Sequence, residues 1–243
     1  MNRFLPAAAC LLLLLTAPLA AETLVFVTSY SPPYSNDEHS GILERVLTEA
    51  GERIGVEARF RNLPAERALS DANAGFFDGV VAGPKHMVRM YHHLVRIRSA
   101  SIESRDFVAF SRRPVSPISS WDDLAAYNIT YVRGWKTVEN HVPEAKSNVA
   151  LDSTRRAFEL LARDRTDVVV GGRLDGTAAA ARLDIDAVVQ IHEPPLASMS
   201  LYPYLHRKNA RYVIELARAL DDMKADGSFD RIYAEAMDRY DAR

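Results

Sequence analysis

Thr23–Ser29 (TLVFVTS) is a short β-rich run, and the pieces that follow it decide the fold. Tyr30–Asn36 (YSPPYSN) is a Pro-rich loop, and Ile42–Gly55 then places Ile42, Leu43, Val46, Leu47, Ala50 and Ile54 at helical spacing. Val56–Phe60 alternates as a strand. Ala65–Asn73, after Leu63-Pro64, is a second helix closed by Gly75, and Asp78–Ala82 (DGVVA) is a candidate for a buried strand. Strands that alternate with helices pair in parallel through crossover connections, so this stretch predicts an α/β architecture with a mostly parallel sheet flanked by helices.

Further along, the same grammar restarts. Phe107–Ser111 (FVAFS) is a strand, Pro114 and Pro117 interrupt, and Ser119–Leu124 (SSWDDL) carries a fresh helix signal. Ile129–Val132 follows as a strand, then a helix from about Lys136, a helix over Ser153–Arg163 and a strand at Asp167–Gly171 (DVVVG). Ser200–His206 (SLYPYLH) is a third transition. Beyond it, Val213–Lys224 and Phe229–Tyr240 are two amphipathic helices parted by Asp226-Gly227. The pattern predicts two α/β lobes of comparable size, with the chain crossing between them near Phe107–Arg113 and again near Ser198–Arg207.

At the other end, Met1–Arg3 is a short basic start, Phe4–Leu15 is almost wholly apolar, and Thr16–Ala21 is small. That order is the order of a secretory signal peptide, and the apolar run falls short of the roughly 20 residues of a spanning helix. Residues 1–21 are therefore expected to be cleaved, taking the single cysteine, Cys10, with them and releasing the rest into the periplasm. A chain without cysteine has no disulfide, thiol nucleophile or thiolate metal site. With 30 basic against 32 acidic residues the protein also lacks the basic surplus of a nucleic-acid footprint.

Leu205-His206-Arg207-Lys208, followed by Ala217–Tyr233 (ARALDDMKADGSFDRIY), carries a distinctive ending in which a helix runs into K-A-D-G-S-F-D-x-I-Y. Together with the strand and loop Val27–Tyr34, the segment Gly75–Gly83 and Ser119–Leu124, it resembles the family 3 extracellular solute-binding proteins, the type II periplasmic fold that serves ABC importers. The resemblance covers nearly all of the chain beyond residue 21. It implies a two-lobed fold with paired hinge strands, lobe 1 being 22–107 plus 205–243 and lobe 2 being 108–204. It also implies a small-molecule ligand held in the cleft at the carboxyl ends of the strands, an inner-membrane ABC permease as partner, a monomer, and no cofactor.

Candidate ligand-binding residues follow from that cleft. Tyr30 and Tyr34 come after the first strand, where an aromatic ring can wall a ligand. Arg133, Gly134, Trp135, Lys136 and Thr137 follow the strand Ile129–Val132 and open a helix. Free amides and the positive end of the helix dipole make such a turn an anion site, and in the family this turn grips the ligand's carboxylate. Amino-acid binders of the family carry a Thr and a downstream Arg after the strand ending in Ala-Gly. Here Lys85 replaces the Thr, and Arg89 lies about one place short of the usual Arg. They also carry an Asp after the second-lobe strand to hold the α-amino group, and here Gly172-Arg173 stands in its place. Lys85, Arg89, Arg133, Lys136 and Arg173 all fall at strand-to-helix turns, so the expected solute is small, polar and anionic. Arg67 is expected to brace the loop under the cleft.

Other chemistries find no support. His92-His93 are adjacent and diverge by ~100° on a helix, so no metal site is expected. No nucleophile elbow or phosphate loop appears, and the protein is not expected to be an enzyme. The alternatives are a periplasmic enzyme on the same fold, resembling cyclohexadienyl dehydratases, and a sensor or accessory binding protein. The enzyme would need an acid/base group at the substrate, for which Asp175 and Glu139 are the carboxylates in the cleft turns.

Overall fold

The computed structural model describes residues 22–99, 101–142 and 145–241; the expected signal peptide, 1–21, lies outside them. The chain begins with β1 (Glu22–Thr28), α1 (Ile42–Arg53), β2 (Val56–Asn62), α2 (Ala65–Ala74) and β3 (Gly79–Pro84), close to the segments read from the sequence. β4 (Leu94–Arg96) and the long β5 (Glu103–Ser111) follow. Next come β6 (Asn128–Val132), α3 (Lys136–Glu139), β7 (Ser147–Leu151), α4 (Thr154–Ala162), β8 (Val168–Gly172) and α5 (Arg173–Arg182). β9 (Gln190–Ile191), the long β10 (Ala197–His206), α6 (Val213–Ala225) and α7 (Ser228–Asp241) complete it.

The strands run in the order β2-β1-β3-β10-β5-β8-β6-β7, a curled sheet with β4 and β9 beside it. β2, β1 and β3 pair in parallel at one end, as do β7, β6 and β8 at the other. β5 and β10 join the two ends: they pair antiparallel with each other, β10 also with β3, and β5 also with β8. Phe107 is the crossing point, opposite Ala197 on one side and Gly172 on the other.

Apolar packing follows the same division. One cluster packs Leu24, Phe26, Leu43 and Leu47 from the beginning of the chain against Leu205, Leu220, Met223 and Phe229 from its end. Two others lie on opposite faces of the second half's strands, one holding Ile129, Val132, Val168 and Val170, the other Phe110, Phe158, Leu161 and Val169. Residues i and i+2 on a strand share a face, so the unbroken Val168–Val170 run feeds both clusters at once.

Two expected helices are reduced to a turn. Ser119–Leu124 yields only a short 3-10 turn over Asp122–Ala126, with Asp123 accepting from the Ser119 and Ser120 amides and β6 starting two residues after the turn. The helix from Lys136 spans four residues. Conversely, α5 escaped the sequence reading, since its run of alanines carries no apolar periodicity.

Candidate functional site

β5 supplies the centre of the site. Glu103, Arg105 and Phe107 share one face of this strand, and Arg105 is 2% exposed. Its Nη2 donates to both oxygens of Asp175, at 2.9 and 2.8 Å. Asp175, in the first turn of α5, is itself buried and also accepts from the Thr154 hydroxyl at 3.1 Å. Arg105 Nε and Nη1, both buried, have no hydrogen-bond partner.

Aromatic rings enclose the guanidinium, its carbon lying 4.2 Å from the Trp135 ring centre, 4.9 Å from Tyr30, 5.3 Å from Phe107 and 5.6 Å from Tyr34. The negative faces of these rings offset part of the cost of burying a cation. Burial works to lower the Arg105 pKa, but Asp175, Tyr30, Tyr34 and Glu103 together outweigh it and the group stays charged. Burial likewise raises Asp175 above its usual range, with Arg105 opposing, and pushes Tyr30 up to about 12. Gly172 makes the pairing possible. A Cβ there would lie 2.1 Å from Asp175 Oδ1 and 2.5 Å from Arg105 Nε.

Beside this pair lies a partly open cavity. β1 and its loop give Thr28, Ser29 and Tyr30, and the end of β3 gives Ala82, Gly83 and Pro84. The loop is held by the buried Glu44, which accepts from Ser35 Oγ at 2.6 Å and the Gly41 amide at 3.0 Å. Phe107, Gly134, Trp135 and Thr137 face them from the other half. Most of the remaining wall is apolar, including Leu69, Met87, Met90 and Met199. Among the described residues that line it, the charged ones are Arg105 and Lys136. A second, polar cleft adjoins it, shares Ser29 and Tyr30, and is lined by Asp175, Thr154, Asn36 and Asn62.

The two halves touch where the turn after β6 meets the start of α2. Gly134 adopts φ +86°, and a Cβ there would come within 2.8 Å of the Glu66 amide and 2.9 Å of Ala65 Cβ. Lys136 Nζ bridges the same line, 2.8 Å from Glu66 and 3.0 Å from Glu139. The amides of this turn are engaged internally: Arg133 donates to Leu151 O, Gly134 to Glu139 Oε1 and Trp135 to Val132 O.

Of the residues singled out in the sequence, Tyr30, Gly134, Trp135, Lys136 and Thr137 lie in the cavity wall together. Tyr34 is buried behind Tyr30, edge-on with ring centres 6.0 Å apart. Lys85 and Arg89 are exposed on a short 3-10 turn, and the side chains that this segment contributes to the wall are Met87 and Met90. Arg133 is exposed, donating to Ala150 O at 3.0 Å and lying 3.8 Å from Asp152. Arg173 pairs with Glu193 at 2.5 Å and Asp106 at 3.4 Å, outside the cavity wall. Arg67, on the exposed side of α2, bonds Asp71.

Arg105 itself escaped the sequence reading, which began the strand at Phe107. The available signal was phase: Arg105 precedes Phe107 and Ala109 at two-residue steps, on the face that the strand buries.

No protein-family model matches the chain. An uncharacterized protein of Shewanella oneidensis is 26% identical over 203 residues, 79% of this chain and 75% of that one. Among solved structures, a histidine kinase sensor domain with similarity to periplasmic binding proteins superposes with a TM-score of 0.76 at 16% identity, over 88% of this chain and 95% of that one. An ancestral arginine-binding protein bound to glutamine gives 0.74 at 18%, over 88% and 96%. The substrate-binding protein of an amino acid ABC transporter gives 0.71 at 19%, over 88% and 98%. The fold is thus the two-lobed α/β fold of the periplasmic binding proteins.

Proposed function

We propose that this protein is an exported solute-binding protein of the family 3 kind, whose lobes, 22–107 plus 205–243 and 108–204, close on a small anionic organic solute for delivery to a membrane ABC permease. One observation carries the reading: Arg105, fully buried in the wall of an inter-lobe cavity, retains two guanidinium nitrogens without an acceptor. Buried donors are nearly always satisfied, and an orphan costs about 1–3 kcal/mol. A solute oxygen would satisfy one of them. The apolar wall with few convergent polar groups is the usual make-up of a small-molecule site.

The binding role is favoured over catalysis because the described residues lining the cavity include no carboxylate and no histidine to move a proton. The test is a thermal-shift screen of the chain without residues 1–21 against organic acids, amino acids, sugars and polyamines. A solute at 100 times its dissociation constant adds about 2.7 kcal/mol of stability. Stabilisation by organic anions, lost in Arg105→Met, is the expected outcome; no response to any solute would overturn the reading.

A further inference from the structure

The cavity's chemistry narrows the solute further. Resting on the reading above, we infer that the bound solute is an organic monocarboxylate that carries no amino group and has an apolar body. The head group follows from what is left unpaired. Lys136 is already engaged by Glu66 and Glu139, whereas Arg105 Nε and Nη1 have no acceptor. These two donors face opposite edges of the planar guanidinium, so one solute carboxylate can take one of them as a charge-assisted bond.

An ammonium group meets no carboxylate among the described residues that line the cavity. Asp175 is committed to Arg105 and Thr154, and it lines the polar cleft rather than the cavity. The rings of Tyr30 and Trp135, which could otherwise receive a cation, already pack on Arg105. A second positive charge beside Arg105 and Lys136 would be desolvated without a counter-ion. The tail meets Leu69, Met87, Met90, Tyr91, Met199 and Leu201, where three thioethers give a wall that adapts to differing apolar shapes.

Calorimetric titration of the full mature chain tests this with matched pairs: 3-phenylpropanoate against phenylalanine, and 4-methylpentanoate against leucine, which differ by the amino group alone. 3-Phenylpropanamide removes the charge, and succinate adds one. The expected result is that the amine-free acids bind about 100-fold tighter than their amino acids and at least about tenfold tighter than the amide or succinate. Met90→Glu places an acid in the wall at a position 44% exposed, where folding tolerates it, and should weaken the monocarboxylates by about tenfold or more. Equal or tighter binding of the amino acids, or of succinate, overturns this inference and leaves the solute-binding reading standing. Binding of sugars or polyamines alone also overturns it. Failure of every solute in both panels overturns both.

Discussion

Arg105 and Arg173 lie on neighbouring elements, and each is paired with a carboxylate, yet they do opposite things. Arg173 is a third exposed; Nη1 and Nη2 meet Glu193 and Nε meets Asp106 at 3.4 Å. Arg105 is sealed from water and places one nitrogen on Asp175 while two go without. In the exposed cluster every donor has an acceptor and water screens the charges, so little energy is stored there. In the buried pair the desolvation cost is large and incompletely offset, which leaves a definite demand for one more acceptor. Counting ion pairs would rank Arg173 first. Counting unsatisfied donors ranks Arg105 first, and that second count points to the site.

The sharpest way to break this contrast is to remove one member of each. Asp175→Ala leaves the Arg105 charge buried and unpaired and should cost about 3–5 kcal/mol, whereas Arg173→Ala should cost about 1 kcal/mol or less. Urea denaturation of both variants measures the difference, and equal losses would refute the distinction.

Glu103 extends the contrast to an acid on the same face of β5. Its Oε1 accepts from the Ser104 amide at 2.9 Å, its Oε2 is buried without a partner, and burial raises its pKa from 4.5 to about 7. Between those values the folded state holds a proton that the unfolded chain has released. The stabilisation is therefore complete below pH 4.5 and is lost as pH rises through 7, by at most about 3 kcal/mol. Glu103→Gln should flatten the pH dependence of stability in that window, as followed by denaturation at pH 4.5, 6 and 8. A further variant tests the geometry alone. Gly172→Ala forces a methyl between Arg105 and Asp175 and should cost about 1–3 kcal/mol, with a parallel change in the Trp135 fluorescence.

The alternation of TLVFVTS, the helix at Ile42 and the DVVVG run made the α/β class legible, because apolar phase is a local property written along the chain. The turn Gly134-Trp135 was equally visible as the place where a strand gives way to a helix. Arg105 was not. Its burial comes from Trp135, Tyr30 and Asp175, which lie 30, 75 and 70 positions away along the chain, and no nearby residue announces them. Lys85 and Arg89 illustrate the converse. Strand-end cations look like ligand grips in one dimension, but the 3-10 turn rotates them outward and points Met87 inward.

The apposition of Gly134 on Ala65 and Glu66, spanned by the Lys136–Glu66 pair, bears on how fast a solute can be exchanged. In the proposed binding role, a solute would enter or leave on that side when the turn lifts from α2. Capture then follows a gate: its observed rate rises with solute concentration until it levels off at the rate of opening. The measured affinity is reduced by the fraction of molecules that stand closed and empty. Loosening the pair from its Glu66 end, which lies outside the cavity lining, would therefore quicken uptake.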